Sequence, residues 1–299
     1  MTIDIICPLY NAEKYVEKLH NNLRRQQNVT INTINYILTK GSDNTENILK
    51  KLDCNYEVIE KNEFSHSTAR ENMARKCSGD ILVFITQDII IERQDWLSNL
   101  TKCIEIGESE AAYSRQLCSN NSIEKYTRER NYPEKSFTVS KDDIKIKGLK
   151  TFFFSDASSA IKRSVFMELN CYDGKRFPTN EDMYIAYKLI TNGYKIKYCA
   201  DSIVEHSHTF TLKQLYKRYY DTGVFFKQNS YLNKYKVNQA GGGLALYVLK
   251  RALQDKNFNV LVRFVPDMAV RFIGMKMGKY KKQKGLWLIW KIKRILDVP

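Results

Sequence analysis

The chain has 299 residues, 43% of them hydrophobic, with 19 Tyr, 14 Phe and a formal net charge of +15. That content suits a packed globular core, as one large domain or a domain with an appendage, and no uncharged run reaches the ~18 residues of a membrane span. The seven cysteines (Cys7, Cys54, Cys77, Cys103, Cys118, Cys171 and Cys199) are scattered and form no C-x-x-C pair, which argues for reduced cytosolic thiols and against a zinc site or disulfide framework.

In chain order, Ile3–Cys7 reads as a buried strand, followed by Pro8 and a helix with apolar positions at Tyr15, Leu19 and Leu23. The acid in Thr2–Pro8 and the shortness of its apolar run argue against a secretory leader. Next come Asn35–Leu38 as a strand, Asn44–Leu52 as a helix, Tyr56–Ile59 as a strand, Thr68–Cys77 as a helix and Ile81–Ile85 as a strand. This β-α-β-α order predicts an α/β fold with a mostly parallel central sheet and helices on both faces, whose ligands bind beyond the carboxyl ends of the strands. Asp88 stands just past such an end, where a carboxylate is costly to bury unpaired. It is expected to face a ligand cleft.

Further on, Thr151–Phe154 reads as a short aromatic strand leading into Ser155-Asp156-Ala157. The stretch from Pro178 predicts a helix capped by Thr179 or Asn180 and ended by Gly193, then a strand over Lys195–Cys199. From Leu212 onward the pattern is of helices with basic faces, and "AGGGLAL" (Ala240–Leu246) reads as a flexible joint. The charge divides sharply. Residues 213–299 carry 19 Lys/Arg against 4 Asp, whereas residues 1–212 carry 29 of each sign. The expected organisation is a neutral domain over 1–212 and a basic helical region over 213–299.

Four features can carry chemistry: Asp88, Glu181-Asp182, His206 with His208, and Arg70. Each has a plainer reading. Asp88 could cap a turn, Glu181 and Asp182 could be first-turn helix acids, the histidines could be satisfied polar groups, and Arg70 could lie on the surface. No G-x-G-x-x-G or G-x-x-x-x-G-K-[ST] loop is present, and no Ser or Cys nucleophile motif stands out.

In order along the chain, "CPLYNAEKYVEKL", "KGSDNTENIL", "FSHSTAREN", "GDILVFITQDI", "YSRQL", "NYP", "NEDMYIAYKLITNGYKI" and "VEHSHTFTLKQLYKRYYDTGVFF" resemble the family 2 glycosyltransferases. F-x-H before Ala-Arg, T-Q-D at the strand end and H-S-H near the close resemble, more narrowly, bacterial rhamnosyltransferases. The resemblance covers roughly the first 230 residues.

It implies a glycosyltransferase-A fold that binds a nucleotide diphosphate sugar, with dTDP-L-rhamnose favoured and a UDP-sugar as the other choice. Pro8, Tyr10 and Asn11 match the first nucleotide-contacting turn, and Arg70 matches an arginine near the diphosphate. Gln87-Asp88 stands where relatives carry an Asp-x-Asp metal motif. Thr39 and Asp156 join the donor-binding set. Asp182 matches the general base with Glu181 beside it, and His206, or His208 as the alternate, completes a site for Mg2+ or Mn2+ with Asp88. A cation offsets charge on a departing diphosphate, and a carboxylate held ionised at a helix N-terminus takes the acceptor proton. One base and no nucleophile implies inversion. Two residues depart from the family pattern: Thr39 replaces an acid expected to contact base or ribose, and Glu71, not Asn, follows Arg70.

In the tail, "GLWLIWKIKRIL" places Leu288, Ile289, Ile292, Ile295 and Leu296 on one helical face, with "DMAVRFIGMKMGKYKK" a weaker second example. Such helices suit an anionic membrane surface, and equally packing on the body or a homodimer. Together these expectations describe an inverting enzyme at the cytoplasmic face of the cell membrane, extending a lipid-linked or oligosaccharide acceptor of bacterial surface polysaccharide. The rival readings are a sugar-nucleotide-binding protein with little turnover and a nucleic-acid binder, the latter disfavoured because no recognition motif accompanies the charge.

Overall fold

The computed structural model describes residues 1–235 and 240–280. The first third alternates as expected: β1 (Thr2–Leu9), α1 (Val16–Arg24), β2 (Thr30–Thr39), α2 (Thr45–Lys51), β3 (Asn55–Ile59), α3 (His66–Lys76) and β4 (Ile81–Ile85). There follow α4 (Trp96–Glu105), β5 (Ala111–Leu117), α5 (Ile123–Asn131), β6 (Phe137–Val139), α6 (Ile144–Lys147), β7 (Ser158–Lys162), α7 (Arg163–Glu168), α8 (Glu181–Thr191) and β8 (Ile196–Glu205). Three further helices close the described chain: α9 (Leu212–Gln228), α10 (Ala240–Gln254) and α11 (Phe258–Tyr280).

The strands form one sheet in the order β3-β2-β1-β4-β7-β5-β8-β6. β1, β2, β3 and β4 pair in parallel, β7 runs antiparallel between β4 and β5, and β8 pairs in parallel with β5. β1 to β5 and β8 therefore share one direction, opposed only by β6 and β7. The carboxyl ends of β1, β4, β5 and β8, and the start of β7, consequently lie along one edge. Side chains on both sheet faces are buried, as a helix-covered sheet requires. One core gathers Phe84, Ile161, Phe166 and Ile185; the other gathers Ile5, Val83, Trp96 and Leu100. Trp96 Nε1 reaches the buried hydroxyls of Ser114 and Ser158, 3.1 Å from each, so the small serines of β5 and β7 satisfy a core indole.

Two expectations fail. Residues 151–154 are no strand: Gly148–Phe152 forms a 3-10 helix, entered through Gly148 at φ +54. The aromatic spacing arises because Phe152 and Phe154 plug the core from a turn. Ala240–Leu246 is no joint either, since helix α10 begins at Ala240. Its neighbours α5 and α11 share a small core of Ile123, Tyr126, Val248, Ala252 and Val260. α9 and α11 cross closely at glycines. A Cβ on Gly274 would sit 2.7 Å from the Tyr216 carbonyl oxygen, so only hydrogen fits there. The segment "GLWLIWKIKRIL" lies outside the described residues.

Candidate active site

At the shared strand edge, β1 and β4 are clipped together. The Tyr10 backbone N–H donates to Gln87 Oε1 (2.7 Å) and Gln87 Nε2 donates to the Tyr10 carbonyl (3.1 Å). Gln87 thus spends its amide on the neighbouring backbone and leaves Asp88 to face the cleft. Two residues on, Ile90 and Glu205 exchange backbone hydrogen bonds of 2.8 and 2.9 Å, tying this turn to the end of β8. That bridge carries the histidines after β8 onto Asp88. His206 Nε2 lies 3.4 Å from Asp88 Oδ1, and His208 Nδ1 lies 3.6 Å from Asp88 Oδ2. Ligand atoms of the three fall within 4.8 Å of one another.

Electrostatics favour the ligand forms of all three. Burial pushes Asp88 upward, but hydrogen bonding and charge from His206, with His208, outweigh it and hold the carboxyl below its usual range. Burial lowers His206, and Arg128 adds to that against the pull of Asp88. Burial and His206 lower His208 to about 4. Neutral imidazoles beside an ionised carboxylate are what a divalent cation needs, so these residues fit one. His206 Nδ1 also lies 3.0 Å from Gln116 Oε1 and 3.2 Å from Arg128 Nη2. The tautomer that donates Nδ1–H to Gln116 bares Nε2 for a cation held with Asp88, whereas the tautomer that accepts from Arg128 at Nδ1 donates Nε2–H to Asp88. Arg128 Nη1 also donates to Gln116.

The opposite wall is built on α3 and α8. Arg70 is buried and pairs with Glu181, Nη1 to Oε1 2.9 Å, so Glu181 is engaged by a cation. Asp182, next on α8, opens onto the cleft and accepts from the Met183 N–H at 2.7 Å. Its ionisation departs from the sequence expectation. Burial, then Glu181 and Asp156, raise its carboxyl well above the ordinary range, outweighing the helix N-terminus and Arg70. Asp156 spends its oxygens on Ser159 Oγ and Tyr172 Oη, both 2.8 Å away. Thr39 Oγ1 is buried without a hydrogen-bond partner among the described residues.

All these groups line one cleft of about 720 Å³: Pro8, Tyr10, Thr39, Arg70, Gln87, Asp88, Asp156, Glu181, Asp182, His206 and His208. Asn11 alone of the expected set does not. It adopts φ +47 and its Oδ1 accepts from the Ser42 N–H at 3.1 Å. The sequence reading missed Gln116 and Arg128 behind the histidines, and the far wall of Tyr132, Arg218, Tyr219 and Arg271. Arg271 Nη2 pairs with Glu124 at 3.0 Å, joining α11 to α5 at the rim. The clearest available signal was the Arg128–Tyr132 stretch beside the quoted "NYP"; Arg218 and Arg271 gave none, being two of many basic residues in the tail.

Residues 4–169 match the family model described as Glycosyl transferase family 2. The chain is 33% identical over 282 residues to O-antigen chain rhamnosyltransferase WbaN of Salmonella anatum, covering 92% of this chain and 89% of the relative. It is 31% identical over 286 residues to O-antigen chain rhamnosyltransferase RfbN of Salmonella typhimurium, covering 94% and 90%. Among solved structures, S. aureus TarS 1-349 in complex with UDP-GlcNAc superposes with a TM-score of 0.57 at 15% identity, over 93% of this chain and 90% of that one. Mannosyltransferase PcManGT from Pyrobaculum calidifontis, in complex with GDP-Man and Mn2+, gives 0.54 at 15% identity, over 98% and 79%. At such identity these two structures speak to the fold.

Proposed function

The chain belongs to glycosyl transferase family 2 and is a glycosyltransferase; from that premise we propose that it transfers L-rhamnose, with inversion, from dTDP-L-rhamnose to a lipid-linked saccharide in bacterial surface polysaccharide synthesis. The names of the two Salmonella relatives support the sugar and the pathway class. UDP-GlcNAc and GDP-Man in the titles of the two structural neighbours support a nucleotide diphosphate sugar as donor, and a UDP-sugar is the alternative. The observation that carries the reading is that Asp182 and the Asp88–His206–His208 cluster open onto the same cleft.

In this reading Asp182 accepts the proton of the acceptor hydroxyl as that oxygen bonds to the anomeric carbon. The bond to the diphosphate breaks with its electron pair on the opposite face. A carboxyl raised well above its ordinary range binds the acceptor proton more firmly than an ordinary carboxylate would, which suits a general base. Asp88, His206 and His208 would hold a divalent cation. When bound, the cation offsets the charge that develops on the leaving diphosphate. Two imidazole nitrogens and one carboxylate oxygen suit Mn2+ better than Mg2+, which prefers oxygen. Arg70 holds Glu181 in place and contributes positive charge beneath the cleft, while Pro8, Tyr10, Gln87 and Thr39 shape the nucleotide end.

We keep the boundary at residue 212 as an organisational proposal. Within the basic region 213–299, α9 and α11 also supply a cleft wall, and the region draws the enzyme to the inner membrane face. The deciding experiment is Asp182→Asn. Transfer should fall by ~10²–10⁴-fold while donor binding by calorimetry stays within a few-fold; retained turnover removes Asp182 from its role. Thr39 motivates a second reading, a nucleotide-sugar binder with little turnover, because its unpartnered hydroxyl offers no charge. Donor protection in a melting assay without donor consumption would select it.

A further inference from the structure

We propose that the outward face of α11, supplemented by α10, is the surface with which the protein docks on an anionic lipid bilayer. This deepens the membrane part of the preceding reading by assigning the surface. It does not depend on the catalytic assignment.

On α11, Phe258, Val262, Val265 and Phe272 are 71%, 78%, 71% and 64% exposed, with Ile273 at 46%. At ~100° per residue these positions, together with Ala269, Lys276 and Tyr280, fall within a single arc about 100° wide. The buried positions Val260, Asp267, Gly274 and Gly278 occupy the opposite side. The outward arc is therefore a continuous apolar stripe more than four turns long with no protein partner among the described residues. α10 adds Leu246 and Leu253, 69% and 63% exposed and seven residues apart, hence on one face of that helix. So many large apolar side chains in water mark an interaction surface.

Charge decides the occupant. α10, α11 and the turn between them carry seven Lys or Arg against Asp255 and Asp267. Asp267 is buried, and Asp255 is tied to Lys125 and Arg251. Lys250, Lys256 and Lys276 form no ion pair among the described residues. A second copy of the chain packed on this face by two-fold symmetry would bring these lysines toward one another. A bilayer bearing phosphate headgroups takes up both features: the arc enters the acyl boundary and the lysine stems reach back to the phosphates. Lys276 already lies along the arc, its Nζ 5.6 Å from the Phe272 ring centroid and 6.0 Å from that of Tyr280.

The test is co-sedimentation of the full chain with vesicles of phosphatidylcholine alone or mixed with phosphatidylglycerol. Binding should require phosphatidylglycerol and weaken with salt. The pair Val265→Glu and Phe272→Glu should weaken it at least ~tenfold with an unchanged melting temperature, because both side chains are exposed. Lys250→Glu with Lys276→Glu should weaken it as well. Variants that bind as the parent does, or a parent that ignores both vesicles, overturn the proposal. So does light scattering that shows a dimer dissociated by the double variant while vesicle binding is absent. Asp182→Asn should bind vesicles like the parent, so this proposal and the catalytic one fail separately.

Discussion

Asp182 is crowded by two other acids and half-buried in the cleft wall, and its behaviour with pH follows from that. Its carboxyl must lose a proton to act as base, so transfer should rise with pH along a limb lying well above the ordinary carboxylate range. Glu181→Gln removes the strongest charge acting on Asp182 and releases Arg70, which should move that limb toward acid. A pH profile of kcat/KM for both proteins checks this; an unshifted limb refutes the assignment. Stability has the linked sign. A folded-state pKa above the unfolded value makes ionisation unfavourable in the folded chain, so stability present below the unfolded pKa is lost as pH rises through the folded one. Asp182→Asn lacks that loss. Its melting temperature should therefore match the parent near pH 4 and exceed it near about pH 8. At Asp88 and His206 the expected outcome concerns metal. Mn2+ should raise the parent's melting temperature more than Mg2+ does, and Asp88→Asn or His206→Ala should abolish that shift. Asp88 and the histidines were legible in sequence because a charge after an apolar run and an alternating H-S-H are local signals. Gln116 and Arg128 were not, because their contacts with His206 depend on β5 lying beside β8 and on where α5 packs.

Elements with strong local periodicity were the readable ones. β4 was located to the residue and α8 to its first turn, since an unbroken apolar run and a pair of first-turn acids leave little freedom, although Asn180, at φ +63 in the cap position, makes no side-chain capping bond. β5, β6 and β7 escaped notice. β7 is Ser-Ser-Ala-Ile-Lys, whose small polar residues resemble a loop until Trp96 is there to bond the Ser158 hydroxyl and Asp156 that of Ser159. Glycine misled in the same way at residues 241–243, where helix α10 forms despite three poor helix formers and packs further along at Leu244, Val248 and Ala252. At the α9–α11 crossing glycine instead permits contact. Gly274→Val would drive a side chain into the Tyr216 carbonyl, and the cost should reach or exceed ~3 kcal/mol because backbone cannot step aside. Urea unfolding of the variant measures this. Activity should fall as well, because the same helix delivers Arg271 to the cleft.

Across the whole molecule, the charge asymmetry visible in sequence pointed to an appendage, yet the three-dimensional arrangement gives that region a share of the cleft. Leu215, Arg218, Tyr219 and Arg271 line the reaction cavity from α9 and α11, and Phe225 packs its ring against Phe177 of the body at 5.5 Å. A chain ending at residue 212 should therefore lose transfer entirely and expose Phe177 to solvent, visible as dye binding and aggregation in a melting scan. Retained transfer would show that the far wall is dispensable.

Helix α11 turns one side to the cleft and the other outward, and a helix with its side chains is ~10–12 Å across. Seated on lipid, it would act as a spacer of fixed gauge between headgroups and the point of sugar addition. An acceptor hydroxyl would then have to reach past the body of this helix to meet the cleft, a demand that would favour sugars set off from the lipid over those joined directly to it.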